Sequence, residues 1–169
     1  TIYGPKMPRV GLVECLEAAK NSDHYKSEVK KGHGRGMAAG FWFNVGGQSS
    51  VSINLNTDGT GTILEGSPDI GGSRASMQMM AAEVLQIAPT RLKPIVADTD
   101  SLPYSMVTGG SRTTFATGMA VIEAAEKIVM QVRERAAAIW NVTVDQIEYK
   151  DGVAINIAGE GRMSLAEIC

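Results

Sequence analysis

A chain of 169 residues with 44% hydrophobic content is the size of one domain and carries enough apolar surface for a buried core. Its net charge of −2 at pH 7 lacks the basic excess of nucleic-acid binders, and its two cysteines are too few for a disulfide framework, a zinc site or an iron–sulfur cluster. No apolar run nears the roughly eighteen residues of a membrane span, and the N-terminal TIYGPKMPRVG lacks the apolar core of a signal peptide, so the expectation is a soluble, cytoplasmic protein with neither nucleic acid nor membrane as partner.

Along the chain, RVGLVECLEAAK (residues 9–20) places Val13, Leu16 and Ala19 at helical spacing, which predicts a short amphipathic helix. The polar, basic NSDHYKSEVKKGHGRG that follows reads as a surface segment, with Lys26, Lys30, Lys31 and Arg35 a solvated face or a contact for a further part of the molecule. From Gly36 the pattern changes to period two. MAAGFWFNV, VSINL and TILEG are expected strands, the last two joined by an Asp-Gly turn. Met77, Met80, Ala81, Val84 and Leu85 fall on one helical face after Ser73, the expected N-cap. LKPIVAD is a short strand whose Pro94 suits an edge. The segment from Thr113 to Trp140 is rich in alanine and free of proline, which predicts a long helix, and QIEYKDGVAINI is a hairpin on Asp151-Gly152. The layout is α+β, a mixed sheet with helices packed on one face in the order β-β-β-α-β-α-β-β. At the end, Ser164 and Glu167 have the spacing of a capping box that opens a helix, which suggests a piece of a longer polypeptide.

The most informative motif occurs twice. GGSRAS at 71–76 and GGSRTT at 109–114 each stand just before a helical stretch. A helix N-terminus offers unpaired N–H groups and a positive dipole end, glycines let a ligand approach the backbone, and hydroxyl and guanidinium groups suit phosphate oxygens. Gly71, Gly72, Ser73, Arg74 and Ser76, with Gly109, Gly110, Ser111, Arg112 and Thr113, are therefore candidate anion-site residues. Glycine turns and serine caps alone would account for either loop singly; the near-copy shifts the balance toward one extended anionic ligand. Asp69, Asp98 and Asp100 lack the loop spacing of a calcium site, His24 and His33 lack partners at metal-ligand spacing, and the methionines at 77, 79, 80 and 106 read as adaptable packing. No metal site is expected in this chain.

NTDGTGTILEGSPDIGGSRASMQMMAAEVL, VADTDSLPYSMVTGGSRTTFATGMAVIEAA and the hairpin after the long helix together resemble the molybdenum-cofactor-binding part of the xanthine dehydrogenase and aldehyde oxidase family, which includes the large subunits of carbon monoxide dehydrogenase and hydroxybenzoyl-CoA reductase. The resemblance covers roughly Gly34 to Ile168 and implies an N-terminal helix and basic linker at 1–33 and a cofactor-binding domain at 34–169. It implies that both loops hold molybdopterin, or molybdopterin cytosine dinucleotide, with its molybdenum, largely through backbone groups. Gly72 stands where the family commonly has glutamine, and counting back from Asp58-Gly59 puts Phe41 where relatives carry an aromatic ring beside the substrate. The reaction implied is oxidative hydroxylation of an aldehyde or N-heterocycle, a small-molecule substrate, with electrons leaving through iron–sulfur clusters and FAD in other domains or subunits. The family's glutamate base lies in a Gly-x-Gly-Glu stretch, and GEGR at 159–162 is not that stretch, because it leads directly into the capping box. The chain is thus expected to act only with the remainder of the large subunit and its iron–sulfur and flavin partners, and to be inactive alone. The rival expectation is a non-catalytic anion- or nucleotide-binding module that keeps the fold without the chemistry.

Overall fold

The structure, a computed structural model, describes residues 9–40, 42, 45–96 and 98–169. The chain divides into two units, Thr1–Phe41 and Trp42–Cys169. In the first, α1 (Leu12–Asn21) is amphipathic yet buries no residue. Ser22 follows it and caps α2 (Asp23–Lys26) by accepting the Tyr25 N–H at 3.2 Å. Arg35, expected to be a solvated charge, also donates to the carbonyls of Tyr25 and Ser27 and so folds the basic stretch back on α2.

The second unit starts from a hairpin. Strands β1 (Val51–Leu55) and β2 (Gly61–Glu65) pair antiparallel. Their turn is fastened by Asp58, whose Oδ1 accepts from the Thr60 N–H at 2.8 Å and the Thr60 hydroxyl at 2.6 Å; these bonds hold the Asp58 carboxyl below its usual pKa. Helix α3 (Ser73–Leu85) then carries the chain over to β3 (Leu92–Ile95), which lies parallel to β2 and forms the sheet edge that Pro94 requires. A π-helical turn at Thr113–Thr117 runs into α4 (Gly118–Trp140). Its buried residues Gly118, Val121, Ala125, Ile128, Val132 and Ala136 repeat every three to four positions, the stripe a core-facing helix needs.

Ile63 and Leu92 of the sheet join Met77, Ala81 and Leu85 of α3 and Val121, Ala125 and Val132 of α4 in one buried core, each large side chain contributing about 1.5–3 kcal/mol. Ser52 and Asn54 on the opposite phase of β1 are exposed, so the helices cover one face of this mixed sheet, as expected.

Two expectations change. The C-terminal hairpin does not extend the first sheet: β4 (Ile147–Lys150), β5 (Val153–Asn156) and β6 (Arg162–Ser164) form a separate antiparallel sheet. This sheet is hung from α3 and α4. Tyr149 donates its hydroxyl to Leu85 O at 2.7 Å, and Arg133 donates to Ile147 O at 2.9 Å. The expected first strand at 37–45 is also not formed in its described residues, 37–40, 42 and 45. Val45 instead donates its N–H to Gly110 O at 3.0 Å, so the backbone is drawn to the second glycine loop rather than to a strand edge. The final α5 (Leu165–Ile168) opens with the expected Ser164/Glu167 capping box.

Candidate functional site

The second loop is built around Arg112. Its side chain is 1% exposed, and all five of its N–H donors are occupied. Nε donates to Gly46 O at 2.6 Å; Nη1 to Met106 O at 2.9 Å and Ser105 Oγ at 3.3 Å; Nη2 to Gln48 O at 2.7 Å and Ser49 Oγ at 2.5 Å. The planar fork expected to face an anion therefore faces inward. It braces the loop against residues 46–49 and 105–106. No carboxylate among the described residues forms an ion pair with it, so its positive charge is hydrogen-bonded but not neutralised, a costly state for a buried ion.

Gly110 sits at φ +57, and a β-carbon there would fall 2.1 Å from Val45 Cγ2; only glycine fits. Ser111 follows at φ +56 and Arg112 at φ −88. Such a reversal of sign between neighbours turns successive N–H groups toward one side, the geometry of an anion-binding nest. Thr113 opens the π turn. It is 7% exposed, and its Oγ1 is buried without a hydrogen-bond partner among the described residues.

Around Arg112 runs a closed ring of hydroxyls. Ser49 Oγ lies 3.1 Å from Thr117 Oγ1, Thr117 Oγ1 lies 2.8 Å from Ser67 Oγ, and Ser67 Oγ lies 2.9 Å from Ser105 Oγ. Arg112 closes the ring by donating to Ser49 and Ser105. With those two oxygens accepting from a guanidinium, the hydroxyl protons can run Ser49 to Thr117 to Ser67 to Ser105, each oxygen donating once. Ser67 also donates its backbone N–H to Glu65 Oε2 at 3.0 Å. The ring thus links the end of β2, which leads into the first loop, to the π turn that follows the second.

In the first loop Ser73 is not the N-cap. It is the first residue of α3, preceded by Gly72 at φ +93, and its Oγ accepts the Ile70 N–H at 2.9 Å. The capping carboxylate is Asp69, which accepts the Arg74 N–H at 3.1 Å and a Ser73 hydroxyl contact at 3.3 Å. The Arg74 backbone bond is the largest reason the Asp69 carboxyl titrates below its usual pKa. Arg74 is half-exposed and bridges to the same carboxylate at 3.3 Å. Gly71 and Gly72 have open space where a β-carbon would stand, as does Gly109, and Ser76 donates its N–H to Gly72 O within the first helical turn.

The second loop lines a concavity of about 410 Å³ through residues 108–114, Thr113 among them; Trp42 and Ile70, the residue before Gly71, complete its lining, and no residue of 71–76 is part of it. Phe41, the expected substrate-side ring, lies outside the described residues. A separate hollow of about 400 Å³ between β1, α4 and the C-terminal residues is lined by Ile53, Leu55, Ile128, Val132 and Arg135 and shares no residue with either loop. Among the described residues no three His, Cys, Asp or Glu side chains are grouped to hold a metal ion, and no helix is long and apolar enough to cross a membrane.

Sequence reasoning had missed Glu65, Ser67, Ser105, Thr117 and Ser49. Only Glu65 left a usable signal. It continues the buried phase Gly61, Ile63, Glu65 of β2, a carboxylate where alternation calls for an apolar residue.

A family model described as molybdopterin cofactor-binding domain matches residues 12–169. Over 155 residues the chain is 28% identical to the aldehyde oxidoreductase molybdenum-binding subunit PaoC of Escherichia coli (strain K12), covering 86% of this chain and 20% of that protein. Over 164 residues it is 27% identical to the 6-hydroxypseudooxynicotine dehydrogenase complex subunit gamma of Paenarthrobacter nicotinovorans, covering 92% and 20%. The chain therefore spans about a fifth of the length of these curated relatives. In fold it is similar to CO dehydrogenase from Oligotropha carboxidovorans (TM-score 0.66, 24% identity, 71% of this chain and 15% of that one). It is also similar to quinoline 2-oxidoreductase from Pseudomonas putida 86 (TM-score 0.60, 19% identity, with the same two shares of chain).

Proposed function

The chain belongs to the molybdopterin cofactor-binding domain family, and from that premise we propose that the loops at 71–76 and 109–114 form one wall of its cofactor site. The observation that carries this reading is Thr113 Oγ1, a buried hydroxyl with no partner among the described residues, in the concavity that the second loop lines and Ile70, just before the first loop, borders. A buried polar atom left unpaired costs roughly 1–3 kcal/mol, which a ligand acceptor or donor would relieve. The rest of the donor set fits the organic and phosphate parts of the cofactor rather than its metal. It comprises the N–H groups of Gly109 and Gly110, the Thr113 hydroxyl, and the positive field of Arg112, whose N–H groups are themselves taken. Gly71, Gly72 and Ser73 would contribute backbone groups from the α3 side, Ser76 its hydroxyl, and Arg74 a guanidinium able to leave Asp69.

When bound, the molybdenum centre supplies the oxygen-transfer and redox chemistry that none of these side chains can provide. This chain's residues bind the cofactor, orient it and shield its phosphate from water. For the whole protein we propose oxidative hydroxylation of an aldehyde or N-heterocycle in the cytoplasm. The cofactor would be molybdopterin or its cytosine dinucleotide, the general base would lie in the remainder of the large subunit, and iron–sulfur clusters and FAD would lie in other domains or subunits. The aldehyde oxidoreductase and 6-hydroxypseudooxynicotine dehydrogenase names of its relatives support that substrate class.

The test is Gly109→Val in the full-length subunit. A β-carbon at Gly109 meets nothing within 4 Å, and its φ lies outside the left-handed region, so folding is expected to be unchanged while the added methyls intrude on the ligand space. Molybdenum and pterin content per subunit should fall at least about tenfold, a loss of about 1.4 kcal/mol in binding. Undiminished content would reject the second loop as part of the site.

A further inference from the structure

Glu65 lies at the join between the first sheet and the first loop. It is 0% exposed; Oε2 accepts one hydrogen bond, from the Ser67 N–H, and Oε1 has no partner among the described residues. We propose that Glu65 is carried as the neutral acid and in that form holds the two glycine loops in register, as a positioning residue of the cofactor site.

The argument is one of missing compensation. A buried carboxylate needs a cation or several donors. The charged groups that act on Glu65 are Asp69, whose like charge disfavours ionisation, and Arg74, whose opposite charge favours it. Arg74 is half-exposed and already bridges to Asp69. Arg112 has every donor occupied and reaches Ser67 only through intervening hydroxyls, Ser105 on one side and Ser49 with Thr117 on the other. The paired strand presents Val51 in register with Glu65, and the π turn presents Thr117 through Ser67; both are uncharged. Burial accordingly pushes the Glu65 carboxyl up, further than the Ser67 N–H brings it down.

Ionisation has a direct structural consequence. The charged carboxylate gains most by reaching water, and the turn at 65–69 is what would have to open. Ser67 would leave the ring, Thr117 and Ser105 would each lose a partner, and the α3 loop would be released from the loop at 109–114. For cofactor retention this rests on the reading of the loops given above. The Glu65 test itself uses the ligand-free chain, so it can fail while that reading stands, and the Gly109→Val result can fail while this one stands.

The experiment follows amide hydrogen exchange at 66–74 and 112–117 between about pH 4 and pH 8 in the 169-residue chain and in Glu65→Gln, an uncharged isostere. Because the folded pKa is raised, the closed form is fully favoured below the exposed carboxyl's pKa of about 4.3 and loses ground as pH rises. The opening equilibrium should climb by up to about tenfold per pH unit until the buried carboxyl's own pKa is passed, then level off. In Glu65→Gln it should be flat. The same pH course in both proteins, or a flat course in both, would overturn the proposal. If the variant does not fold, infrared spectroscopy of the natural chain decides. A protonated-carboxyl carbonyl band persisting above the pH at which exposed carboxyls ionise supports a neutral Glu65, and its absence overturns it.

Discussion

At the scale of single residues, the second loop contains neighbouring positions with opposite demands. Arg112 supplies five hydrogen bonds to three carbonyls and two hydroxyls. Arg112→Met should therefore leave several buried acceptors unpaired, at about 1–3 kcal/mol each where water cannot reach them. A loss of about 3 kcal/mol or more in urea unfolding is expected, with Arg112→Lys intermediate because an ammonium has three donors and no planar fork. At Gly110 both φ and the contact with Val45 forbid a side chain, and Gly110→Ala should cost about 1–3 kcal/mol. Gly109→Val, one residue earlier, should stay within about 0.5 kcal/mol of the natural chain. Equal losses at 109 and 110 would show that the loop is not held as described. Gly72 is at φ +93 with open space around it. Gly72→Gln should thus be limited by backbone strain of about 1–2 kcal/mol, visible in unfolding curves, rather than by any clash.

At the scale of elements, α3 begins on a carboxylate and not on the serine that its sequence advertises. Asp69 is held below its usual pKa chiefly by the Arg74 N–H, with the Arg74 and Ser73 side chains adding to it. A depressed folded pKa means that the cap's contribution is present above the unfolded value of about 3.9 and fades as pH falls through the folded one. Asp69→Asn should accordingly lower the thermal midpoint at pH 6 and 7, and the difference should shrink toward pH 3; a constant difference across that range would show that Asp69's charge is not what caps the helix. Elements specified by neighbouring residues were legible in the sequence: the Asp58-Gly59 and Asp151-Gly152 hairpins, the edge position of Pro94, the stripe of α4, the Ser164/Glu167 box. What escaped depends on partners distant in the chain. The cap of α3 was misassigned because Ser73 and Asp69 both carry capping oxygens, and only the turn of Gly72 to φ +93 decides between them. The hydroxyl ring joins Ser49 to Thr117 across 68 positions and Ser67 to Ser105 across 38, separations over which no local period carries information. The inward turn of Arg112 has the same origin, since its acceptors at 46–49 are fixed by the path of a segment that alternation alone assigned to a strand.

At the scale of the whole molecule, the site is one-sided. In the lining of the concavity stand Trp42 and Ile70, each more than half-exposed, an apolar rim of the kind that marks an interaction surface. Ligand pockets commonly bury about 70–90% of what they hold, and a single open wall cannot do so for an extended pterin cofactor. The chain also spans only about a fifth of its curated relatives, and it offers no grouped metal ligands among its described residues. The purified 169-residue chain should therefore fold, as its continuous core allows, yet contain far less than one molybdenum per chain and show no aldehyde- or N-heterocycle-dependent reduction of a dye acceptor. Co-expression with the remainder of the large subunit should raise metal content and move Trp42 emission to shorter wavelength as the rim is covered. Stoichiometric molybdenum in the isolated chain would mean that the two loops suffice for retention. The apolar rim would then need another explanation than a missing opposite wall.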